Sequence, residues 1–217
     1  VSSLDGFGLA KKEIAVSAAG GLLWYLLETQ KNDLEHISVL KYYTIGDFMP
    51  LDVASRRNLE LTETMREKNK KGSLLSVLDE TKTAMGARTL RKWVEQPLLS
   101  AAEICKRLDA VEELKNDLFL REEIKDILRT MFDFERIMGR VVYQTANARE
   151  LSMLKNSIEN LPLLKRTLGR CKSGYLQEIY EKLDPLENIH DLIDQAIVDD
   201  PPFSVREGGM IKPGYSD

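Results

Sequence analysis

Apolar residues recur every three or four positions through most of the chain, which is the spacing that one buried helix face requires. The first such stretch, residues 13–31, carries alanine and leucine side chains near one face and predicts a helix. From residue 73 to residue 197 the pattern stays helical. The helices predicted there lie at 73–79, 84–95, 121–131, 133–144, 175–183 and 186–197, with two more that begin at residues 100 and 147.

Capping boxes mark the starts of those last two helices. Residues 100–103 and 147–150 each place a capping side chain three positions before a glutamate. The first helix is predicted to bury a stripe formed by Ile104, Leu108, Val111 and Leu114. The second runs toward Leu168, and Pro162 predicts a kink or break within it because proline removes a backbone donor.

Short stretches of β-branched or alternating residues predict a little β structure. They lie at residues 37–43, 48–51 and 59–62, with a further short strand at 203–206. Between the second and third stretches, Asp52 predicts the start of a turn or two of helix through Asn58. No internal repeat of fixed period is visible. The predicted fold class is therefore mostly α: a multi-helix core domain with a small β-containing segment leading into it.

Composition and charge limit the functional classes. Of the 217 residues, 43% are apolar and 30% are charged, as in an ordinary globular protein, and the net charge is −4. An acidic chain with a pI near 5.5 is not a dedicated nucleic-acid surface. Cys105 and Cys171 have no partner motif and predict reduced thiols in a cytoplasmic protein. The apolar stretch 14–27 is too short to span a bilayer, so no membrane partner is expected.

Motifs for catalysis or cofactor binding are absent from the sequence. There is no glycine-rich phosphate loop, no cluster of metal-ligating residues around His36 or His190, and no serine in a nucleophile elbow. We therefore expect no catalytic, cofactor or metal site in this chain. The basic run at residues 66–72 is interpreted as a solvated turn rather than a phosphate contact, because it is short and includes Glu67.

Two sets of polar residues stand among apolar neighbours and are the candidate structural or coupling residues. The first set is Asp52, Arg56, Arg57, Asn58 and Glu60, and the second is Asp133, Glu135, Arg136 and Arg140. Asp52 and Arg56 are spaced to pair across one helical turn. Arg136 lies among apolar residues, so we expect it to be partly buried and paired with a carboxylate of another helix. Ordinary surface pairing is the alternative.

These same stretches resemble the MutS DNA mismatch repair family. Four blocks carry the resemblance: residues 51–61, residues 73–79, residues 83–98 from the threonine–x–methionine–glycine helix to its proline, and residues 133–140 with the aspartate–x–glutamate–arginine helix. Residues 18–37 and 201–215 are similar to the stretches that flank this core in the family. The blocks occur in order over nearly the whole chain.

The resemblance implies three parts. Residues 1–35 would be the end of a connector domain with its junction helix, 36–200 a helical core domain, and 201–217 the truncated start of a segment that leads to the lever and clamp. The core would be non-catalytic and would link the DNA-gripping clamp and the mismatch-reading domain to the ATPase domain. ATP and magnesium would bind elsewhere in the parent protein. The implied partners are the other MutS domains in cis, mismatched double-stranded DNA, and a MutL-type protein.

The implied truncation gives two structural expectations. Residues 201–217 would be poorly ordered or held by a neighbour. Residues 149–168 and 186–198 would expose apolar surface that a returning segment covers. Two other readings stay open at this point: a helical protein-interaction module unrelated to DNA repair, and an enzyme whose site the sequence does not reveal.

Overall fold

The computed structural model describes residues 12–30, 46, 48–202 and 205–215. The chain divides into two compact units, residues 1–47 and residues 48–217. In the first unit the structure describes one helix, α1 (Glu13–Gln30), which confirms the helix predicted there. Its apolar side chains include the exposed Leu22 and Trp24. Within the described ranges no helix is both long enough and apolar enough to cross a membrane.

The second unit is a helical domain. Its helices are α2 (Val53–Asn58), α3 (Leu74–Leu78), α4 (Ala84–Glu95), α5 (Ala101–Asn116), α6 (Leu118–Arg129), α7 (Phe134–Val142), α8 (Ala148–Glu159), α9 (Leu161–Leu168), α10 (Gly174–Lys182) and α11 (Glu187–Ala196), followed by a 3-10 turn at Val205–Glu207. The predicted helices are confirmed to within a few residues. The mostly α fold class is therefore correct.

Side-chain caps explain where most of these helices begin. Asp52, Ser73, Thr83, Ser100, Asp117, Asp133 and Asn147 each accept a hydrogen bond from a backbone N–H in the first turn of the helix that follows. Such a bond satisfies one of the donors that a helix start leaves unpaired. At α8 the capping box is complete, because Asn147 N–H also donates to Glu150 Oε2 at 3.0 Å. Pro162 lies in the first turn of α9, so the predicted break in the long helix is confirmed.

Two clusters of buried side chains form the core of the helical domain. The first cluster comprises Ala110, Leu120, Ile127, Leu164, Leu168, Cys171 and Leu176, contributed by α5, α6, α9 and α10 and the turn between the last two. The second comprises Ile137, Ala148, Leu154, Ile158, Leu161, Ile193 and Ile197, contributed by α7, α8, α9 and α11 and the residue after α11. Met131 and Leu183 pack against both clusters. The two clusters therefore form one connected interior.

The stripe predicted for α5 is wrong at three of its four positions. Leu114 is partly buried against the first cluster, but Ile104, Leu108 and Val111 are exposed, and the fully buried side chain of this helix is Ala110. A small residue at that position lets α5 approach its neighbours closely. On the same helix Glu113 reaches α10, where its carboxylate accepts the backbone N–H groups of Lys172 at 2.6 Å and Ser173 at 2.8 Å. The packed face of α5 is thus partly polar, which apolar periodicity cannot reveal.

The predicted β structure is mostly not found in the part of the chain that the structure describes. Residues 37–43 lie outside it. Residues 48–51 contribute only an isolated antiparallel bridge between Phe48 and Leu98. Residues 59–62 are not a strand, because Glu60 turns the chain with φ 46° and its carbonyl, like that of Leu61, accepts from the first turn of α3. Of residues 203–206, the last two belong to the 3-10 turn and the first two are not described.

Residues 210–212 fold back onto the end of α11. Val198 N–H donates to Met210 O at 3.0 Å, and Lys212 N–H donates to Ala196 O at 2.8 Å. Met210 also packs against the second cluster. The expectation of a poorly ordered tail is therefore wrong for these residues, because backbone pairing and apolar contact hold them to their own chain.

The expected apolar exposure is confirmed for one of the two regions. On α11 the side chains of Ile189 and Leu192 are exposed. Across residues 149–168 no large apolar side chain is exposed, so the expectation is wrong there. The reason is that the large apolar side chains of α8 and α9 belong to the two clusters or pack against them.

Candidate interhelix coupling network

A multiple hydrogen-bonded link joins α4 to the start of α7. Arg88 of α4 donates to both carboxylate oxygens of Asp133, Nη1 to Oδ2 at 2.8 Å and Nη2 to Oδ1 at 2.7 Å. Its Nε donates to Glu135 Oε2 at 2.8 Å. This two-pronged geometry orients the Arg88 side chain relative to Asp133, because the guanidinium is planar and its donors are rigid.

Asp133 has two roles at once. It caps α7, because its Oδ1 accepts from Arg136 N–H at 3.2 Å, and it holds Arg88. The hydrogen bonds from Arg88 keep the pKa of Asp133 below its ordinary value, and the same bonds raise the pKa of Arg88. Protonating Asp133 would therefore weaken both the start of α7 and its link to α4.

A second link joins the end of α7 to the start of α8. Arg140 Nη1 lies 2.6 Å from Glu150 Oε1, and Arg140 Nη2 donates to Thr145 O at 3.0 Å. Glu150 is also the glutamate of the α8 capping box. We call these two links, Arg88 with Asp133 and Glu135 and Arg140 with Glu150, the α4–α7–α8 network. The two links lie at opposite ends of α7, and the backbone of that helix joins them.

Arg136 does not have the role predicted for it. Its side chain is exposed, whereas the next residue, Ile137, is 5% exposed. Successive residues on a helix point about 100° apart, so a buried Ile137 turns Arg136 outward. The arginine that pairs with the carboxylates of α7 is Arg88. Arg88 lies within residues 83–98, one of the four blocks that resemble the MutS family. That position was the available sequence signal that Arg88 has a role.

The first polar set is local. Asp52 Oδ1 accepts from Ser55 N–H at 2.6 Å, Arg56 Nε donates to Leu51 O at 3.0 Å, and Glu60 Oε1 accepts from Met65 N–H at 2.7 Å. The predicted pair between Asp52 and Arg56 is therefore wrong, because each side chain satisfies a nearby backbone group instead. Arg57 and Asn58 are exposed. These contacts shape the turn around α2 and stay within residues 51–65.

Aromatic contacts give α4 a second attachment. The guanidinium carbon of Arg107 on α5 lies 3.7 Å from the centre of the Trp93 ring. The ring of Tyr175 on α10 meets Trp93 edge-on, with 6.5 Å between the ring centres. Cation–π and edge-to-face contacts of this kind stabilise packing beyond area alone. Arg88 and Trp93 thus tie α4 to both sides of the helical domain.

Charged pairs also cross between other helices of the domain. Lys106 on α5 pairs with Glu178 on α10 at 2.6 Å, and Lys155 on α8 pairs with Asp194 on α11 at 2.9 Å. Each lysine holds the pKa of its partner carboxyl below the ordinary value. On α6, hydrogen bonds from Thr167 and then Arg170 do the same for Glu123.

The described residues offer little reactive chemistry. No group of three or more histidine, cysteine or carboxylate side chains among them could hold a metal ion. Both cysteines are free thiols, and burial raises the pKa of Cys171, which keeps it protonated. His190 lies 3.0 Å from the carboxylate of its neighbour Asp191, and His36 lies outside the described residues.

The basic run at residues 66–71 forms an exposed loop. Thr64 N–H donates to Asn69 O at 2.9 Å and closes it, and Lys70 pairs with Asp79. All six side chains of the run are exposed. Its interpretation as a solvated turn agrees with this geometry.

The domain consists of capped helices around two connected apolar clusters, with ion pairs between the helices. This architecture is typical of a structural core domain. Residues 54–213 match the model of the family described as MutS domain III. The chain belongs to this family.

The chain is also similar to curated proteins named DNA mismatch repair protein MutS. It is 49% identical over 215 residues to the protein of Lachnoclostridium phytofermentans, which is 99% of this chain and 23% of that protein. It is 52% identical over 204 residues to the protein of Ruminiclostridium cellulolyticum, covering 94% of this chain and 23% of that protein. It is 45% identical over 217 residues to the protein of Alkaliphilus oremlandii, covering 100% of this chain and 25% of that protein. The chain thus spans about a quarter of the length of the curated relatives it matches.

Proposed function

We propose that this domain is the non-catalytic structural core of a MutS-type mismatch repair protein. It links the parts of the protein that read and grip DNA to the part that hydrolyses ATP. The observation that supports this most is the match to MutS domain III over residues 54–213, in a chain whose relatives carry the mismatch repair name.

The α4–α7–α8 network supports a linking role in particular. Coupling between distant sites needs elements that move together and that both sites can bias. Directional bonds from Arg88 to Asp133 and from Arg140 to Glu150 connect three helices, so a displacement of α4 biases the positions of α7 and α8. Asp133, Glu135, Arg140 and Arg88 are the residues we propose to carry coupling.

Catalysis and nucleotide binding are assigned to other parts of such a protein. The sequence has no phosphate loop with which to cradle nucleotide phosphates. ATP and magnesium would act in the ATPase domain, and mismatched double-stranded DNA would be held by the reading domain and the clamp. We propose the other MutS domains as partners in cis, a MutL-type protein as a partner in trans, and the cytoplasm as the location.

Two titrations on the purified domain test this assignment. Calorimetry with magnesium–ATP should give no heat of binding at micromolar nucleotide. Fluorescence anisotropy with matched and mismatched duplexes should give weak binding without preference, because net charge −4 disfavours phosphate contact. Micromolar ATP binding would overturn the assignment of catalysis elsewhere. A reproducible mismatch preference of about tenfold would overturn the assignment of DNA reading elsewhere.

A further inference from the structure

A cavity of about 240 Å³ lies where the break between α8 and α9 faces the start of α11. Its apolar wall is formed by Pro162 and Pro185, and the almost fully buried Ile158 closes it from below. Sites for small organic ligands usually measure about 300–1,000 Å³. This cavity is smaller than that range. Its size therefore suits one long side chain rather than a whole metabolite.

Three exposed acidic residues, Glu159, Glu187 and Asp191, are among the residues that line the cavity. Asp191 meets His190. Glu159 and Glu187 form no ion pair within 4 Å in the part of the chain that the structure describes. Two unpaired carboxylates beside an apolar pocket favour an occupant that is apolar along its stem and positive at its end.

We propose that this cavity receives an arginine side chain of a partner protein. The methylene groups would lie against the two prolines, and the guanidinium would meet Glu159 and Glu187. Arginine suits the site better than lysine because its planar group can bridge two carboxylates and is less strongly hydrated. A phosphate-bearing ligand would be repelled by the same charges.

Two features restrict the backbone around the cavity. Pro162 and Pro185 have fixed φ, and Leu186 N–H is held by Asp184 Oδ1 at 2.9 Å just before α11. A cavity that is already formed loses little conformational freedom on binding. The cavity lies apart from the α4–α7–α8 network, so the test of arginine binding does not depend on the proposed coupling role.

The first test uses Nα-acetyl-arginine amide as the probe and follows backbone amide shifts of the whole chain by NMR. The neutral isostere Nα-acetyl-citrulline amide is the matched control. We expect saturable shifts confined to residues 158–162 and 184–191, with binding of the arginine probe at least about fivefold tighter than that of citrulline. Equal binding of both probes, or shifts spread over the acidic surface, would overturn the proposal.

The second test changes the charges. The double variant Glu159→Gln with Glu187→Gln should weaken the arginine probe by about fivefold or more, while Glu181→Gln, an exposed carboxylate on α10, should leave it unchanged. Sedimentation of wild type and double variant over a wide concentration range asks whether a second copy occupies the cavity. Self-association that disappears in the double variant would identify the occupant as another copy and contradict a separate partner. A monomer throughout supports the proposal.

Discussion

Residues 48–99 and residues 100–200 are held in place by different means. In the first segment only Leu61, Ser73 and Leu75 are buried, and Leu74, Val77 and Leu78 of α3 are exposed. The second segment contains both apolar clusters. The first segment is therefore positioned by caps, turns and the contacts of Arg88 and Trp93, whereas the second is positioned by burial.

This difference separates two kinds of stability. Burial of apolar surface is strong and non-directional, so the helical part should unfold as one cooperative unit. Hydrogen bonds and ion pairs are individually weak but directional, so residues 48–99 can open locally while the rest stays folded. A weakly buried segment tied by oriented bonds is well suited to move as a unit against a stable core.

The largest effect should come from the second cluster. Ile158→Ala removes a side chain that is 1% exposed and leaves a cavity between α8 and its neighbours. We expect a loss of about 2–5 kcal/mol in the free energy of unfolding, measured by urea denaturation. The control Ile189→Ala, at a position 41% exposed, should change stability by no more than about 0.5 kcal/mol. Similar losses for both variants would mean that α8 is not the centre of the core.

A smaller effect is expected within residues 48–99. Ser73 is fully buried, and its hydroxyl donates to Lys70 O at 2.7 Å and accepts from Ser76 N–H at 3.3 Å. Ser73→Ala should cost about 1–2 kcal/mol and raise amide hydrogen exchange over residues 60–79. Ser100→Ala, an exposed cap, should cost about 0.5 kcal/mol. Unchanged exchange in Ser73→Ala would contradict the importance of directional bonds in this segment.

Arg88→Ala should act locally rather than globally. It removes the bonds to Asp133 and Glu135, so amides of α4 should exchange faster while those of α8 keep their protection. The matched control is Arg91→Ala, because Arg91 pairs only with Glu95 of its own helix in the described structure. If amide exchange in α4 rises equally in both variants, the cause is the loss of helix propensity and not the loss of the link to α7.

The smallest expected effect is a pH dependence at Asp79. Hydrogen bonds from Lys70 and then Thr81 lower the pKa of Asp79 from 3.8 to about 2. A carboxyl whose pKa is lower in the folded state stabilises the fold above the unfolded pKa and loses that contribution as pH falls. The stability difference between wild type and Asp79→Asn should therefore be constant above about pH 5 and shrink between about pH 4 and pH 2. A stability difference that stays constant between about pH 4 and pH 2 would show that ionisation of Asp79 does not cause it.

The same distinction between local directional bonds and long-range packing decides which features the sequence predicts. Helix boundaries from residue 73 onward follow from caps such as Ser73 and Asn147, whose chemistry is local. The face that each helix buries is less predictable, because packing decided it: α5 buries Ala110 rather than Ile104, Leu108 and Val111. In the candidate network, Asp133, Glu135 and Arg140 were predictable as a polar set on one helix. Arg88 and Glu150 both lie in stretches that the sequence singled out, but their pairing with this set was not predictable, because long-range pairing has no local signal.

The same limit explains the errors at residues 48–62. Leu59 to Thr62 alternates like a strand, but a strand needs a partner, and the carbonyls of Glu60 and Leu61 pair with α3 instead. The prediction that Arg136 is partly buried was wrong for a related reason. Apolar neighbours in sequence do not determine which face of the helix a side chain occupies.

The central claim, that this domain couples DNA contact to ATP hydrolysis, is tested most directly in a full-length MutS-type protein that carries it. The measurement is the change in ATP hydrolysis rate that mismatched DNA produces, compared between wild type, Arg88→Ala and the control Arg91→Ala. We expect Arg88→Ala to retain DNA affinity and basal hydrolysis, yet to reduce the DNA-dependent change by about three- to tenfold, with Arg91→Ala unchanged. An undiminished DNA-dependent change in Arg88→Ala would contradict the claim that the α4–α7–α8 network transmits the coupling.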